Sequence, residues 1–131
     1  MATPYHHALS SVKRWGGKVE DYLPIHNWFD ETKASMPDFR HRALRHHAEG
    51  IFEMERVFGF TITLDNGMVI PTRPIGEQHV TEDCGFIPTI KNWLENIIPQ
   101  KWMNGRVNKE VVKLKPHEAK NEKENAVSVS C

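Results

Sequence analysis

Eight consecutive positions, Arg40 to His47, hold three arginines and three histidines, and Glu49 and Glu53 follow on the same run. Neutral imidazole is a favoured ligand for zinc, iron, nickel and copper, and a centre needs three or four convergent ligands. Two further pairs have the spacing to contribute. His26 and Asp30, and His79 and Asp83, are each four residues apart, so on a helix each pair puts both side chains on one face. His46 with Glu49 and Glu53 forms a third such edge. The chemistry these residues predict is a divalent transition-metal site built from His26, Asp30, His46 and His79, with His6 or His7 assisting. An open coordination position would activate water for hydrolysis, with Asp83 or Glu49 as general base. The arginines point to a phosphorylated small molecule, because Arg42 and Arg45 can grip phosphate oxygens bidentately.

Blander roles compete for the same residues. Leu44, His47, Ala48, Ile51, Met54 and Phe58 follow a helical period, so His47 reads as a hydrogen-bonded core histidine. His41, on the flank of that stripe, reads as a surface residue. Arg42, Arg45, Glu49, Glu53 and Arg56 share the other face, where alternating charges form a solvated, locally paired surface. No HExxH, CxxC or His-Asp dipeptide occurs in the chain, so any metal centre must draw on ligands scattered over several helices. Cys84 lies five residues from His79, about 140° away around a helix, which is poor geometry for a nucleophile and its base.

The elements that must position these groups are legible from their punctuation. Thr3 and Pro4 start a first helix that the glycines at 16 and 17 stop, with Tyr5, Ala8, Leu9, Val12 and Trp15 on its core face and His7, Ser11 and Arg14 on the other. A second helix starts near Asp21 or Pro24 and ends before Pro37, burying Ile25, Trp28, Phe29 and Met36. The third and longest runs from about Pro37 to Phe58, with Gly59 beyond its last turn. The stretch FTITLDNGMVI, residues 60–70, changes to a period of two around an Asn-Gly turn and predicts a β-hairpin. A short helix carries GEQHVTEDC and stops at Gly85, and another starts around Pro88 or Thr89 with Ile90, Trp93, Leu94 and Ile97.

Composition sets the frame. The 131 residues carry 17 basic and 17 acidic side chains, so no global field draws the chain to nucleic acid or an anionic membrane. Two cysteines are too few for a disulfide framework. Neither a signal-type segment nor an apolar run of membrane-spanning length is present, which predicts a cytoplasmic protein. The fold class that follows is mainly α, a compact bundle of about five helices with one hairpin near residues 60–70. A single domain covers residues 1–104, and residues 105–131 form a polar, disordered tail.

The wording of YLPIHNWFDETKA (22–34), FRHRALRHH (39–47) and GEQHVTED (76–83) resembles a family of small bacterial and bacteriophage proteins known only as a domain of unknown function, over about residues 6–103. The resemblance implies a bacterial or phage origin and carries no activity. A phage source would favour an alternative to the metal- or phosphate-binding hydrolase, namely a non-catalytic accessory protein that binds a host protein or nucleic acid. Trp15, Trp28, Trp93 and Trp102 could serve such an interface, although the first three fall on apolar stripes and read as core.

Overall fold

The structure, a computed structural model, describes residues 3–105. The expected tail therefore lies, beyond its first residue, outside the described residues. The chain divides into two units, Met1–Leu94 and Glu95–Cys131. Within the second, a short 3-10 turn spans Lys101–Asn104.

The first unit is mainly helical with one hairpin: α1 Pro4–Trp15, α2 Val19–Asp30, α3 Arg42–Arg45, α4 Ala48–Phe58, β1 Thr61–Thr63, β2 Val69–Pro71, α5 Arg73–Cys84 and α6 Ile90–Leu94. Two 3-10 turns, Glu31–Ala34 and Phe39–His41, connect α2 to α3. The strands pair antiparallel with Ile62 opposite Ile70. Gly67 supplies the positive φ of 90° at the turn. No helix among the described residues is long and apolar enough to cross a membrane.

Three expectations about the elements need correction. The second helix begins at Val19, not at Asp21 or Pro24, because the Asp21 carboxylate accepts the Lys18 amide at 2.8 Å and caps it there. That cap outweighs the single intrahelical bond that Pro24 removes from the interior. The apolar face expected of α1 is also misplaced. Tyr5 and Leu9 are 54% and 38% exposed, while His7, Ala8 and Ser11 are buried. The helix turns its histidine and serine inward because they meet the polar side of α5.

The largest correction concerns the long third helix, which is broken in two. His46 leaves helical geometry (φ −88°, ψ 68°), and His47 is extended and caps α4 by accepting the Gly50 amide on Nδ1 at 2.9 Å. A capping side chain at this point satisfies the new helix start. The corner is tight enough that a Cβ on Gly50 would overlap the Arg45 carbonyl. The Trp93 indole donates to the His46 carbonyl at 2.8 Å, and the Ala48 amide donates to the Pro88 carbonyl at 2.8 Å. Leu44, expected in the apolar stripe, is 56% exposed because the break ends the period that would have buried it.

An apolar core of Ala8, Tyr22, Ile25, Phe29, Ile51, Met54, Leu64, Ile70, Ile75 and Val80 lies between these helices and the hairpin. Gly76 lets α5 approach closely, since a Cβ there would meet Met54 Cε at 2.7 Å and Phe29 Cζ at 3.2 Å. This approach carries His79 and Asp83, one and two turns further along α5, towards α2 and the corner.

Candidate metal centre

Beside that apolar core lies a second, polar one. His7, Ser11, His26, Asp30, His41, His46, Gln78 and His79 are all buried, far from the usual fate of such residue types. Burial at this density is tolerable only if the groups satisfy one another.

Four imidazoles present Nε2 to two carboxylates. His46 Nε2 lies 2.9 Å from Asp83 Oδ2 and 3.3 Å from Asp30 Oδ1. His79 Nε2 lies 3.3 Å from Asp83 Oδ2, 3.4 Å from Asp30 Oδ1 and 3.1 Å from His46 Nε2. His41 Nε2 is 3.5 Å from Asp30 Oδ1, and His7 Nε2 is 3.1 Å from Asp83 Oδ1. Ligands bound about 2.1 Å from one ion stand about 3.0 Å apart in an octahedron and about 3.4 Å apart in a tetrahedron. The observed separations are compatible with the edges of such polyhedra.

Proton accounting orients the ring nitrogens. Gln78 donates its amide hydrogens to the His7 carbonyl and Glu82 Oε1, both at 2.9 Å, which turns its oxygen towards Ser11. Ser11 donates to that oxygen at 2.7 Å and so accepts from His26 Nε2 at 2.8 Å. Burial first, and then the neighbouring His79 and His7, push His26 down to about 2, so the ring is neutral and its Nδ1 carries a lone pair. His79 therefore donates from Nδ1 to His26 Nδ1 at 2.9 Å, and a neutral His79 aims a lone pair from Nε2 at the two carboxylates. His41 is anchored more simply. Its Nδ1 donates to the Asp38 carbonyl at 2.7 Å, and its Nε2 is buried without a hydrogen-bond partner among the described residues. Anchoring one ring nitrogen so that the other faces an ion is how metal-binding histidines are held.

The carboxylates suit the same role. Burial alone would raise Asp30 and Asp83, but with protons on the adjoining Nε2 atoms in an ion's place the imidazoles outweigh it: His46 and His79 for Asp30, and these with His7 for Asp83. Both carboxyls are held well below the usual carboxylate range and are ionised. At His7 burial lowers the pKa, but the bonds to Asp83 and to Glu82 at 2.7 Å prevail and raise it. A second oxygen of Asp30, Oδ2, is buried without a partner among the described residues, as is His46 Nδ1. The cluster as a whole is compatible with metal binding.

Of the residues singled out from sequence, His46, His79, Asp30 and Asp83 meet at the centre. His26 stands behind His79, as its proton acceptor and not a direct donor to the carboxylates. His7 belongs to the centre, whereas His6 is exposed and contacts Thr3 Oγ1 at 2.7 Å. Glu49 is turned to the start of α6, where it accepts the Ile90 amide at 2.8 Å. Arg45 is not at the centre either. It stacks 4.1 Å over the Trp28 ring and donates to the Trp28 carbonyl at 2.6 Å, so it is tied to α2 and is not part of a solvated face. Arg42 leaves that face too, its NH2 3.7 Å from Asp83 Oδ1. It lines a cavity of about 390 Å³ with Asp83, Cys84, Phe86, Pro88, Asn92 and Trp93. Burial pushes the Cys84 thiol up, so it is no ready nucleophile.

His41, expected at the surface, is 1% exposed. It is buried because the helix breaks into a 3-10 turn that rotates it towards Asp30. Ser11, Gln78 and Glu82 were not singled out for chemistry either. No short-range signal marks them, since each acts through a partner distant in sequence.

A family model for a domain of unknown function, DUF6915, matches residues 2–103. The chain belongs to this family. The match covers every residue of the centre, so the polar cluster lies within the family's domain. No curated protein and no solved structure matches the chain.

Proposed function

We propose that this domain binds a divalent transition metal at the His/Asp centre and uses it to hydrolyse a phosphorylated ligand entering from the Arg42 cavity. The observation that carries the reading is the convergence of four imidazole Nε2 atoms on Asp30 and Asp83, with the Nδ1 atoms of His7, His41 and His79 tied to partners on the far side. Without a cation or protons between them, lone pairs and carboxylates at 2.9–3.5 Å would repel.

Asp83, with its depressed pKa, fits a ligand better than a general base. A metal held by Asp30, Asp83 and their histidines would acidify a water, from 15.7 to about 7 in favourable sites, so hydrolysis would need no strong side-chain base. The water would give a proton to solvent as its oxygen bonds to phosphorus, the ester P–O bond would break, and the leaving oxygen would take up a proton from solvent. Arg42, 3.7 Å from Asp83 Oδ1, would hold the phosphate oxygens in the cavity it lines.

Purified protein without a histidine tag tests both halves. Elemental analysis should find bound zinc, manganese, iron or a related ion, and hydrolysis of a chromogenic aryl phosphate should vanish on chelation and return with metal. Less than about a tenth of a metal equivalent per chain, unchanged by added metal, would sink the proposal.

A further inference from the structure

We infer that the centre holds two metal ions bridged by the Asp30 carboxylate. This rests on the metal-binding reading above and deepens it. Two donor sets, each with all its ligand atoms within 4.8 Å of one another, share only Asp30: His7, Asp30, His79 and Asp83 form one, and Asp30, His41 and His46 the other. One ion occupies each set.

Three features favour two ions over one. The first is donor count. Four imidazoles and two carboxylates offer eight ligand atoms, more than one octahedral ion accepts, and an ion saturated by all six residues would keep no position for water or substrate. Divided four and three around a shared carboxylate, each ion keeps an open position. The second is Asp30 itself. Its Oδ1 is faced by His41, His46 and His79, whereas its Oδ2 is buried and unpartnered among the described residues. Donors of both sets face the same Oδ1, so the Asp30 carboxylate stands between the two ions, and its bare Oδ2 offers a further ligand atom. The third is His41 Nε2, another buried atom without a hydrogen-bond partner among the described residues. An unpaired buried polar atom is costly, and a second ion removes the cost.

Charge adds a consequence. Two dications exceed the negative charge of Asp30 and Asp83, and Arg42 adds another positive group at the cavity side, so the open positions select an anion.

The test is a titration of the metal-free full-length protein with manganese(II), followed by electron paramagnetic resonance and equilibrium dialysis. Two equivalents should bind, with the exchange-coupled spectrum of ions about 3.5–4 Å apart. His41→Ala should bind one equivalent and give the uncoupled six-line spectrum. One equivalent for the wild type, or two uncoupled ions, overturns the bridged pair while leaving metal binding intact; no binding overturns both. A His41→Ala protein that still binds a coupled pair also overturns it. Should that variant not fold, His41→Gln keeps the ring's volume more closely, and the wild-type stoichiometry and coupling decide the matter alone.

Discussion

Ser11→Ala should weaken metal binding although Ser11 touches no proposed ligand atom. In the wild type the serine oxygen accepts from His26 Nε2 at 2.8 Å, and its hydroxyl donates to Gln78 Oε1 at 2.7 Å. Alanine removes both. Left with an unpaired buried N–H, His26 loses about 1–3 kcal/mol. The ring avoids this by moving its proton to Nδ1, which forces His79 to accept on Nδ1 and carry its own proton on Nε2. That proton stands where the ion needs a lone pair, so binding must reverse the exchange and pay the same 1–3 kcal/mol. The predicted loss is about 5- to 150-fold in affinity, in line with the tenfold to hundredfold effects typical of residues that orient metal-bound histidines. Competition with a chromophoric chelator measures it. Ser10→Ala is the control, because that hydroxyl only donates to the His6 carbonyl at 3.3 Å on the outer side of α1. Wild-type affinity in Ser11→Ala would refute the proton accounting that makes His79 a ligand.

Gly50→Ala should destabilise by at least about 3 kcal/mol in urea unfolding, since its Cβ would strike the Arg45 backbone carbonyl, which no rotamer change can move aside. His47→Ala should cost about 1–2 kcal/mol through the lost cap of α4 and leave metal stoichiometry unchanged; a drop in stoichiometry would show that His47 takes part in the centre. Metal-free stability should fall with pH below 6.5. His26 is neutral in the fold, burial and its histidine neighbours having pushed it down to about 2, while the unfolded chain takes up a proton near 6.5. Its contribution is therefore complete above 6.5 and declines by about 1.4 kcal/mol per pH unit as pH falls towards 2. His47, lowered by burial, acts in the same direction. The raised His7 works the other way: its contribution is full below 6.5 and fades as pH rises through its folded value, so it leaves the slope from 6.5 to 4.5 untouched. Denaturant midpoints at those two pH values in chelator should differ, and less so for His26→Gln; equal midpoints for the wild type would contradict this assignment.

Much of this centre was legible in spacing. His26/Asp30 and His79/Asp83 are local pairs on helices, and a period of 3.6 is enough to put each pair on one face. The hairpin and the stop at Gly85 were legible for the same reason, since turn residues act within a few positions. What escaped was set by tertiary partners. Nothing near His46 announces that Gly50, Trp93 and Pro88 will hold a corner there, and the intact period from Leu44 to Phe58 argues for a continuous helix. His41 escapes as well, because it lies in a 3-10 turn where the period argues for regular helix. Hydrophobic periodicity turns His7 and Ser11 outward, because it treats the apolar side of α1 as the inward side. Here a polar interior on α5 recruits the opposite face. Glu49 and Arg45 share a helical register with the centre, but Ile90 and Trp28 claim them.

The most direct measurement is a crystal structure of protein loaded with manganese, with anomalous scattering recorded above and below the metal edge. Two peaks should flank Asp30, one within about 2.3 Å of His79 Nε2 and Asp83, the other equally close to His41 and His46 Nε2. A single peak would confine the centre to one ion. No peak among these residues, in crystals grown with excess metal, would contradict the account.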